Sequence, residues 1–305
     1  MEILIILYVW DKRMRQTKAN ANLVLILTVL IWSNAFIAIK VAVAEVSPFL
    51  LVVARFGVAA VPYLILFIFK RNLFVPLEKK DFLQVLFISL ISTVGYHMTL
   101  NTGEQLIAAG TASLIIATTP IITSIMSKYF LNEELSARKL IGILISFSGV
   151  LVLVYDAYII SFDNLVGILI TFLAPIFWSA NIVFSKPLMK KYDSFSLNGY
   201  YILLSQLVLV PVGFFTGIEV LLNVSITTFA AIFFLGFFCS FVAYTLWLFA
   251  LNIKEASTTA IFINFIPLLA LVNAFLLLNE IPSFLVLVGG LLILVGVYLV
   301  ERSEK

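Results

Sequence analysis

The chain has 305 residues, of which 63% are hydrophobic and only 11% are charged, and its mean hydropathy is +1.15. A soluble protein of this length could not cover its surface with so few charges, so a soluble fold is excluded. The net charge of +3 reflects where the basic residues lie along the chain and does not indicate nucleic-acid binding.

Ten apolar segments have close to the ~20 residues that a bilayer-spanning helix needs. Their continuous apolar runs exclude a membrane β-barrel, whose strands would alternate apolar and polar residues. We therefore predict an all-α integral membrane protein with ten transmembrane helices. The predicted spans are 22–43, 48–69, 82–102, 106–130, 139–155, 164–186, 196–217, 226–251, 256–278 and 282–300.

The basic residues predict how these helices are oriented. Seventeen of the 19 Lys and Arg flank spans on one face of the membrane, so the positive-inside rule places both termini in the cytoplasm. The predicted order is a cytoplasmic segment at 1–19 and two five-helix halves at 20–155 and 163–302, in the cell (inner) membrane. The loops on the outer face are expected to carry only acidic residues, namely Glu45, Glu104, Asp156, Asp163, Glu219 and Glu280.

The second half of the chain repeats the first. Trp, Pro, Gly, Lys and Asn-Glu recur at an offset of 146 or 147, and such residues seldom match by chance in an apolar chain. A duplication of this kind is typical of secondary transporters, whose binding site lies between the repeats. The matched pairs are Trp32 and Trp178, Lys40 and Lys186, Pro120 and Pro267, Asn132-Glu133 and Asn279-Glu280, Gly142 and Gly289, and Gly149 and Gly296.

Five helices per half is an odd number, so the second repeat should enter the membrane from the opposite face. The Asn132-Glu133 motif is then predicted to be cytoplasmic and its copy at 279–280 external. Two glycines seven residues apart give the fifth and tenth helices a small-residue face that permits close helix contact. We expect these helices to pack on each other within a monomer, or on a partner protomer in a homodimer.

The two halves resemble EamA domains, the repeat of the drug/metabolite transporter superfamily, over about residues 20–302. The resemblance implies a central cavity bounded by helices 1, 3, 4, 6, 8 and 9, and it favours export of amino acids or related metabolites. In the first repeat it rests on Trp32-Ser33-Asn34, Lys40, Ser47-Pro48, Arg55, Ala109-Gly110-Thr111-Ala112-Ser113, Pro120 and Asn132-Glu133-Glu134. In the second it rests on Phe177-Trp178-Ser179, Lys186, Ala256-Ser257-Thr258-Thr259-Ala260, Pro267 and Asn279-Glu280.

A polar or aromatic side chain in the middle of a span needs a partner or a wet cavity. Such residues could form a substrate site of aromatic faces, amides and hydroxyls, or they could serve only in helix packing, with each Thr bonding its own backbone. The candidate substrate-binding residues are Trp32, Asn34, Arg55, Tyr96, His97, Thr118, Thr119, Trp178, Asn181, Tyr244 and Asn264.

Arg55 is the most specific of these candidates. It lies seven residues after Pro48, about 10 Å into its helix, where it could bind a carboxylate or phosphate through two contacts. The alternative is that its side chain extends outward and pairs with Glu45. Lys40 and Lys186 lie nearer the ends of their helices, and we expect their ammonium groups to extend to the membrane interface.

Proton coupling is an open question in the sequence. We expect no Asp or Glu deep inside a span, which would exclude a carboxylate relay, and leave His97 as the one interior group that titrates near neutral pH. Either His97 carries protons, or substrate and proton compete at Arg55, or the protein is a facilitator with His97 as a packing residue.

Other functions fit less well. One His, one Cys and no interior acid cannot form the usual catalytic sites of an enzyme, so no enzyme, metal site or cofactor is predicted. No segment looks like a channel filter. The outer loops are too short for a receptor. Within transporters, the alternatives to a metabolite exporter are an exporter of drugs or organic cations and a transporter of nucleotide sugars or sugar phosphates.

Overall fold

A computed structural model describes residues 18–132, 136–254 and 256–302. The predictions about Glu133 and most of the segment at 1–19 lie outside these residues. In the described part, seven helices are long and apolar enough to cross a membrane, and three shorter helices are also apolar. They are α1 Ala21–Val43, α2 Pro48–Phe69, α3 Lys79–Leu106, α4 Ala109–Leu131, α5 Ala137–Ile160, α6 Phe162–Leu188, α7 Ser194–Phe215, α8 Ile226–Ile253, α9 Phe262–Leu278 and α10 Phe284–Arg302.

Several helix starts follow from local sequence. Ser47 caps α2 by accepting a hydrogen bond from the Leu50 amide at 3.3 Å, and Pro48 occupies the first helical position, where its missing N–H costs nothing. Asp193 caps α7 in the same way. At the other end of two helices, Asn132 and Asn279 adopt left-handed φ values of 58° and 56°. These equivalent asparagines therefore end α4 and α9 with the same C-terminal turn.

Two helices were predicted to end too early, and both corrections concern acidic residues. Helix α3 continues to Leu106, so Glu104 is a buried helical residue rather than part of an outer loop. Helix α5 continues to Ile160, so Asp156 is also helical, and its carboxylate accepts a hydrogen bond from Ser283 at 2.9 Å. A hydropathy window ends a helix at the first charged residue, whereas the backbone continues when that residue is buried.

The helices are interrupted at the level of the central cavity. Helix α1 has a turn at Asn34, and α4 consists of Ala109–Ile116 and Thr119–Leu131. Pro120 begins the second part of α4, because proline cannot supply the N–H that a continuous helix would need. Helices α3 and α8 widen into π-helical turns at Ile91–Gly95 and Phe234–Ala243. Such turns often accompany functional sites.

Helices α5 and α10 pack on each other, as the glycine pattern predicted. A Cβ atom at Gly149 would lie 2.5 Å from the Gly289 carbonyl oxygen, and one at Gly296 would collide with the Gly142 carbonyl. Since Gly149 meets Gly289 and Gly142 meets Gly296, these equivalent helices run antiparallel. Their glycine faces meet inside the chain, which is the first of the two predicted alternatives, and the oligomeric state stays a prediction.

Lys40 and Lys186 bind main-chain carbonyls at the ends of neighbouring helices, and the extension of their ammonium groups to the membrane interface stays a prediction. The Lys40 ammonium donates at 2.7 Å to the carbonyls of Glu104 and Ile107, at the end of α3. Lys186 donates to the equivalent carbonyls of Leu251 and Lys254, at the end of α8. A cation suits the negative end of a helix dipole. Each repeat thus joins its first helix to its third through the same lysine contact.

Candidate functional site

A small cavity lies in the middle of the helix assembly, and its walls come from α1, α2, α3, α4, α6, α8 and α9. The resemblance implied all of these helices except α2, which contributes Arg55. The volume open to the centre of a water molecule is about 30 Å³, which holds water but no metabolite. Six of the candidate residues line it, namely Trp32, Arg55, Tyr96, His97, Trp178 and Tyr244.

An aromatic cluster centred on Trp32 forms part of the cavity wall. Its ring meets Trp178 edge-to-face at a centroid distance of 5.5 Å and Tyr244 at 5.4 Å. The Trp32 indole N–H donates to the Cys239 carbonyl at 3.1 Å, which fixes the ring. Trp247, which the sequence analysis missed, contacts Trp32 at 5.3 Å. Its position one helical turn after Tyr244 could have identified it, since residues three apart share a helix face.

Arg55 is buried against the cavity, and the alternative of pairing with Glu45 is wrong. Its Nε donates to the Ser240 hydroxyl at 2.7 Å, while Glu45 instead accepts hydrogen bonds from Ser225. Helix α8 can come this close because Gly236 has no side chain. A Cβ atom at this position would lie only 2.6 Å from the Arg55 carbonyl oxygen. Within the described ranges, the bond to Ser240 is the only hydrogen bond of the guanidinium, so its two Nη groups have no protein acceptor.

His97 and Tyr244 occupy equivalent positions in the two repeats and meet in the cavity wall. The His97 Nε2 atom and the Tyr244 hydroxyl share a hydrogen bond of 2.8 Å. The Phe56 ring lies 5.0 Å from the imidazole, and Tyr96 lies 5.2 Å from Trp178. The Tyr96 hydroxyl makes no hydrogen bond in the described part of the chain. It is therefore a second donor that a solute in the cavity could reach.

Comparison with known proteins supports a transporter. A family model described as the EamA-like transporter family matches residues 19–155 and 165–302. This chain belongs to the EamA-like transporter family. It is therefore a multi-pass membrane transporter of the drug/metabolite transporter superfamily, not an enzyme, and a small-molecule substrate is implied. The first EamA repeat contributes four of the six candidate residues at the cavity, Trp32, Arg55, Tyr96 and His97, and the second contributes Trp178 and Tyr244.

The relatives of this EamA transporter are similar along nearly their whole length. An uncharacterized transporter of Archaeoglobus fulgidus is 31% identical, and the match covers 92% of this chain and 99% of the relative. A probable amino-acid metabolite efflux pump of Escherichia coli is 27% identical, covering 90% and 92%. A probable terminal-alkyne amino-acid exporter of Streptantibioticus cattleyicolor is 28% identical, covering 91% and 92%. One crystal structure has a TM-score of 0.68 at 17% identity, covering 95% of this chain and 99% of that one, which shows the same fold.

Five of the candidate residues do not line the cavity of this EamA transporter. Asn34 is exposed and bonds Leu30 and Asn273. Thr118 and Thr119 donate to carbonyls of their own helix at 2.7 and 2.6 Å, which is the packing alternative. Asn181 is buried and accepts a hydrogen bond from Ser185. Asn264 ends a short 3₁₀ segment whose neighbours, Ile263 and Ile266, are the residues that reach the cavity.

The electrostatics of the EamA cavity are those of a single positive charge. Arg55 is the one lining residue with a fixed charge in the described part of the chain, and none of the lining residues there is acidic. No group of three or more His, Cys, Asp or Glu among the described residues could hold a metal ion. Glu104, which the sequence placed in an outer loop, is fully buried two residues before the end of α3.

Proposed function

We propose that this transporter exports small carboxylate-bearing metabolites, most simply amino acids or their relatives, by alternating access at the Trp32–Arg55–His97 cavity. The observation that carries the proposal is the Arg55 guanidinium, which is 2% exposed, lies at the cavity and uses a single donor for the protein. A planar guanidinium with two free N–H edges matches a carboxylate through two parallel, charge-assisted hydrogen bonds.

The aromatic cluster supports the same substrate class. The rings around Trp32 offer an apolar, polarisable surface for a substrate side chain, while Arg55 and Tyr96 offer polar contacts at its other end. An organic cation would meet Arg55 with no carboxylate among the described lining residues to balance it. The names of the relatives from Escherichia coli and Streptantibioticus cattleyicolor, both amino-acid exporters or efflux pumps, agree with a carboxylate-bearing solute.

Alternating access needs two ends that open in turn. We define the Arg55 end as the part of the pathway around Ala35, Ile39 and Arg55, and the Tyr201 end as the part around Asn181, Ser185 and Tyr201. The Tyr201 end is closed by the hydrogen bond of 2.8 Å between Ser185 on α6 and Tyr201 on α7, and Ser185 also donates to Asn181 of its own helix at 3.1 Å. The cavity at the Arg55 end is too small for a metabolite, so a solute enters or leaves only after one end opens.

The proposed topology has all ten apolar helices crossing the bilayer, with the second repeat inverted and both termini in the cytoplasm. The antiparallel α5–α10 contact supports it, because equivalent helices of an inverted repeat run in opposite directions. In a Cys239→Ala background, single cysteines in place of Ser136 or Ser283 test it at equivalent loop positions. An impermeant thiol reagent added outside should label the cysteine at 283 alone. Equal labelling of both from one side would contradict the inversion.

The substrate is tested by transport into proteoliposomes. Purified protein should exchange a radiolabelled aromatic or aliphatic amino acid, and its carboxamide should compete poorly because the carboxylate that binds Arg55 is gone. A sugar phosphate and an organic cation dye serve as the other two probes. Preferential transport of the dye or the carboxamide would overturn the proposal, and preferential transport of the sugar phosphate would replace the substrate class while keeping the role of Arg55.

A further inference from the structure

The buried carboxyl group of Glu104 has no part in the substrate site proposed above. The side chain is 0% exposed, and in the described part of the chain neither carboxyl oxygen has a hydrogen-bond partner. Glu104 lies four residues after Leu100 and seven after His97, so it continues the cavity-lining face of α3 toward the outer surface of the Arg55 end. A buried ionisable group inside a membrane is costly, and such groups usually have a function.

The repeat shows that the fold does not need this acid. Lys40 binds the main-chain carbonyl of Glu104, and Lys186 binds that of Leu251 at the equivalent place in the second repeat. The lysine contact is therefore made equally with a leucine in the same position. Glu104 adds nothing to that contact, while its side chain adds an unpartnered polar group that leucine would not.

The charges that act on Glu104 come from three elements. Lys40 lies on α1, Arg55 on α2, and Glu280 on the segment before α10, where its carboxylate is 3.5 Å from the Gly110 amide. Helix α6 faces this part of α3 with Gly167 and Thr171, and the adjoining stretch of α4, Ala109–Ile116, contains no titratable residue. The Lys40 ammonium is held by two carbonyls, and neither it nor Arg55 donates a hydrogen bond to the Glu104 carboxyl in this part of the described structure.

We propose that Glu104 is a proton-binding site that controls the Arg55 end of the pathway. Ionising an enclosed carboxyl without a hydrogen-bond donor is unfavourable, so the closed end holds the neutral acid. When the end opens, water reaches the carboxyl, the proton leaves to water, and the carboxylate can attract the nearby Lys40. Raising the pH on that side therefore favours the open end, and lowering it favours the closed end. The inference rests on the alternating access proposed above.

Proton occupancy is tested without transport. Infrared spectroscopy of the purified protein at neutral pH should show the C=O band of a protonated carboxylic acid, and Glu104→Gln should remove it. Glu280→Gln is the control and should leave the band unchanged. A wild-type spectrum from which Glu104→Gln removes no such band would mean that Glu104 is ionised, and it would overturn the proposal. Glu104→Leu, which copies the residue at 251, provides a second variant if the glutamine variant does not fold.

The link to opening is tested with a cavity reporter. A cysteine replacing Ile39, in a Cys239→Ala background, is labelled from the Arg55 side with and without Glu104→Gln. The labelling rate with Glu104 is divided by the rate with Glu104→Gln, and this ratio cancels the ionisation of the thiol itself. It should rise with pH by up to about tenfold per unit, the limit for release of one proton. A ratio independent of pH would overturn this inference and leave the substrate proposal standing, whereas failed amino-acid exchange with a pH-dependent ratio would do the reverse.

Discussion

The Arg55 end and the Tyr201 end are built from equivalent residues with different chemistry. At an offset of 146, Ala35, Ile39 and Arg55 correspond to Asn181, Ser185 and Tyr201. The first set has two apolar residues and one charge with unused donors, while the second has three neutral polar groups that bond one another. Duplication therefore kept the framework, including the lysine contacts and glycine pairs, and the residues along the pathway diverged.

The largest expected effect on transport is at the Arg55 end. Arg55→Ala should lower transport of an amino acid about ten- to a hundredfold, because charge-assisted hydrogen bonds contribute about 1.5–3 kcal/mol. Arg55→Lys should remain impaired, since lysine keeps the charge and loses the planar two-point contact. Initial rates of exchange in proteoliposomes measure both. Ser92→Ala, whose hydroxyl donates to the Ser89 carbonyl of its own helix, is the control and should change the rate by much less. Full activity of folded Arg55→Ala would show that the cation does not bind substrate.

The framework shared by both ends is tested at α5 and α10. Gly149→Val should destabilise the protein by about 1–3 kcal/mol, because the new side chain has no room beside the Gly289 carbonyl. Gly57→Ala is the control, since a Cβ atom at Gly57 would have no neighbour within 4 Å. Thermal unfolding in detergent compares the two variants. Equal unfolding temperatures would mean that α5 and α10 separate more easily than their contact suggests.

These elements show what the sequence could and could not predict. Trp32, Trp178 and Arg55 stood out because they are rare residues in apolar spans, and they do line the cavity. Ser240 could not be foreseen, because it lies in a π-helical segment of α8 that shifts the face its residues present, whereas Trp247 could have been found from its spacing after Tyr244. Thr118 and Thr119 do not line this cavity, because the break in α4 offers nearby carbonyls to their hydroxyls.

The two lysines and Glu104 teach a related lesson about charge in membranes. Hydropathy treats a charged residue as a sign of the membrane interface, and it therefore placed Lys40, Lys186 and Glu104 near or outside the helix ends. In the structure a helix terminus supplies carbonyls for each lysine, and close packing encloses the acid. Partners distant in sequence decided these positions, and a single sequence does not reveal them.

An intermediate effect is expected at the Tyr201 end. Ser185→Ala removes the hydroxyl that joins Asn181 and Tyr201, and it leaves two buried polar groups without that partner. A cost of about 1–3 kcal/mol to the closed state should raise opening of this end about fivefold or more. Thiol labelling of a cysteine replacing Ile182 measures the opening. Ser92→Ala, which loses only a bond to its own helix, is the control, and equal labelling in both variants would argue against the polar closure.

The smallest expected effect distinguishes the loop contact beside the Arg55 end from the loop contact beside the Tyr201 end. Next to the Arg55 end, the Glu45 carboxylate accepts hydrogen bonds from the Ser225 hydroxyl at 2.5 Å and amide at 2.8 Å. Next to the Tyr201 end, Asp81 instead binds the Lys191 ammonium at 2.8 Å and the Tyr192 hydroxyl at 2.7 Å. The first contact joins a carboxylate to neutral donors, and the second is an ion pair.

Acid should therefore weaken the Glu45 contact. The hydrogen bonds from Ser225 hold the pKa of Glu45 below its ordinary value. The stabilisation is then fully present above the ordinary pKa of the carboxyl and is lost as the pH falls through the lowered pKa. Glu45→Gln should remove this part of the acid dependence of the unfolding temperature, and the effect should be small because the carboxylate is exposed. Glu219→Gln, at an exposed carboxylate with no hydrogen bond in the described part of the chain, should leave the dependence as in the wild type. Indistinguishable acid profiles for all three proteins would show that the contact between Glu45 and Ser225 does not stabilise the loop.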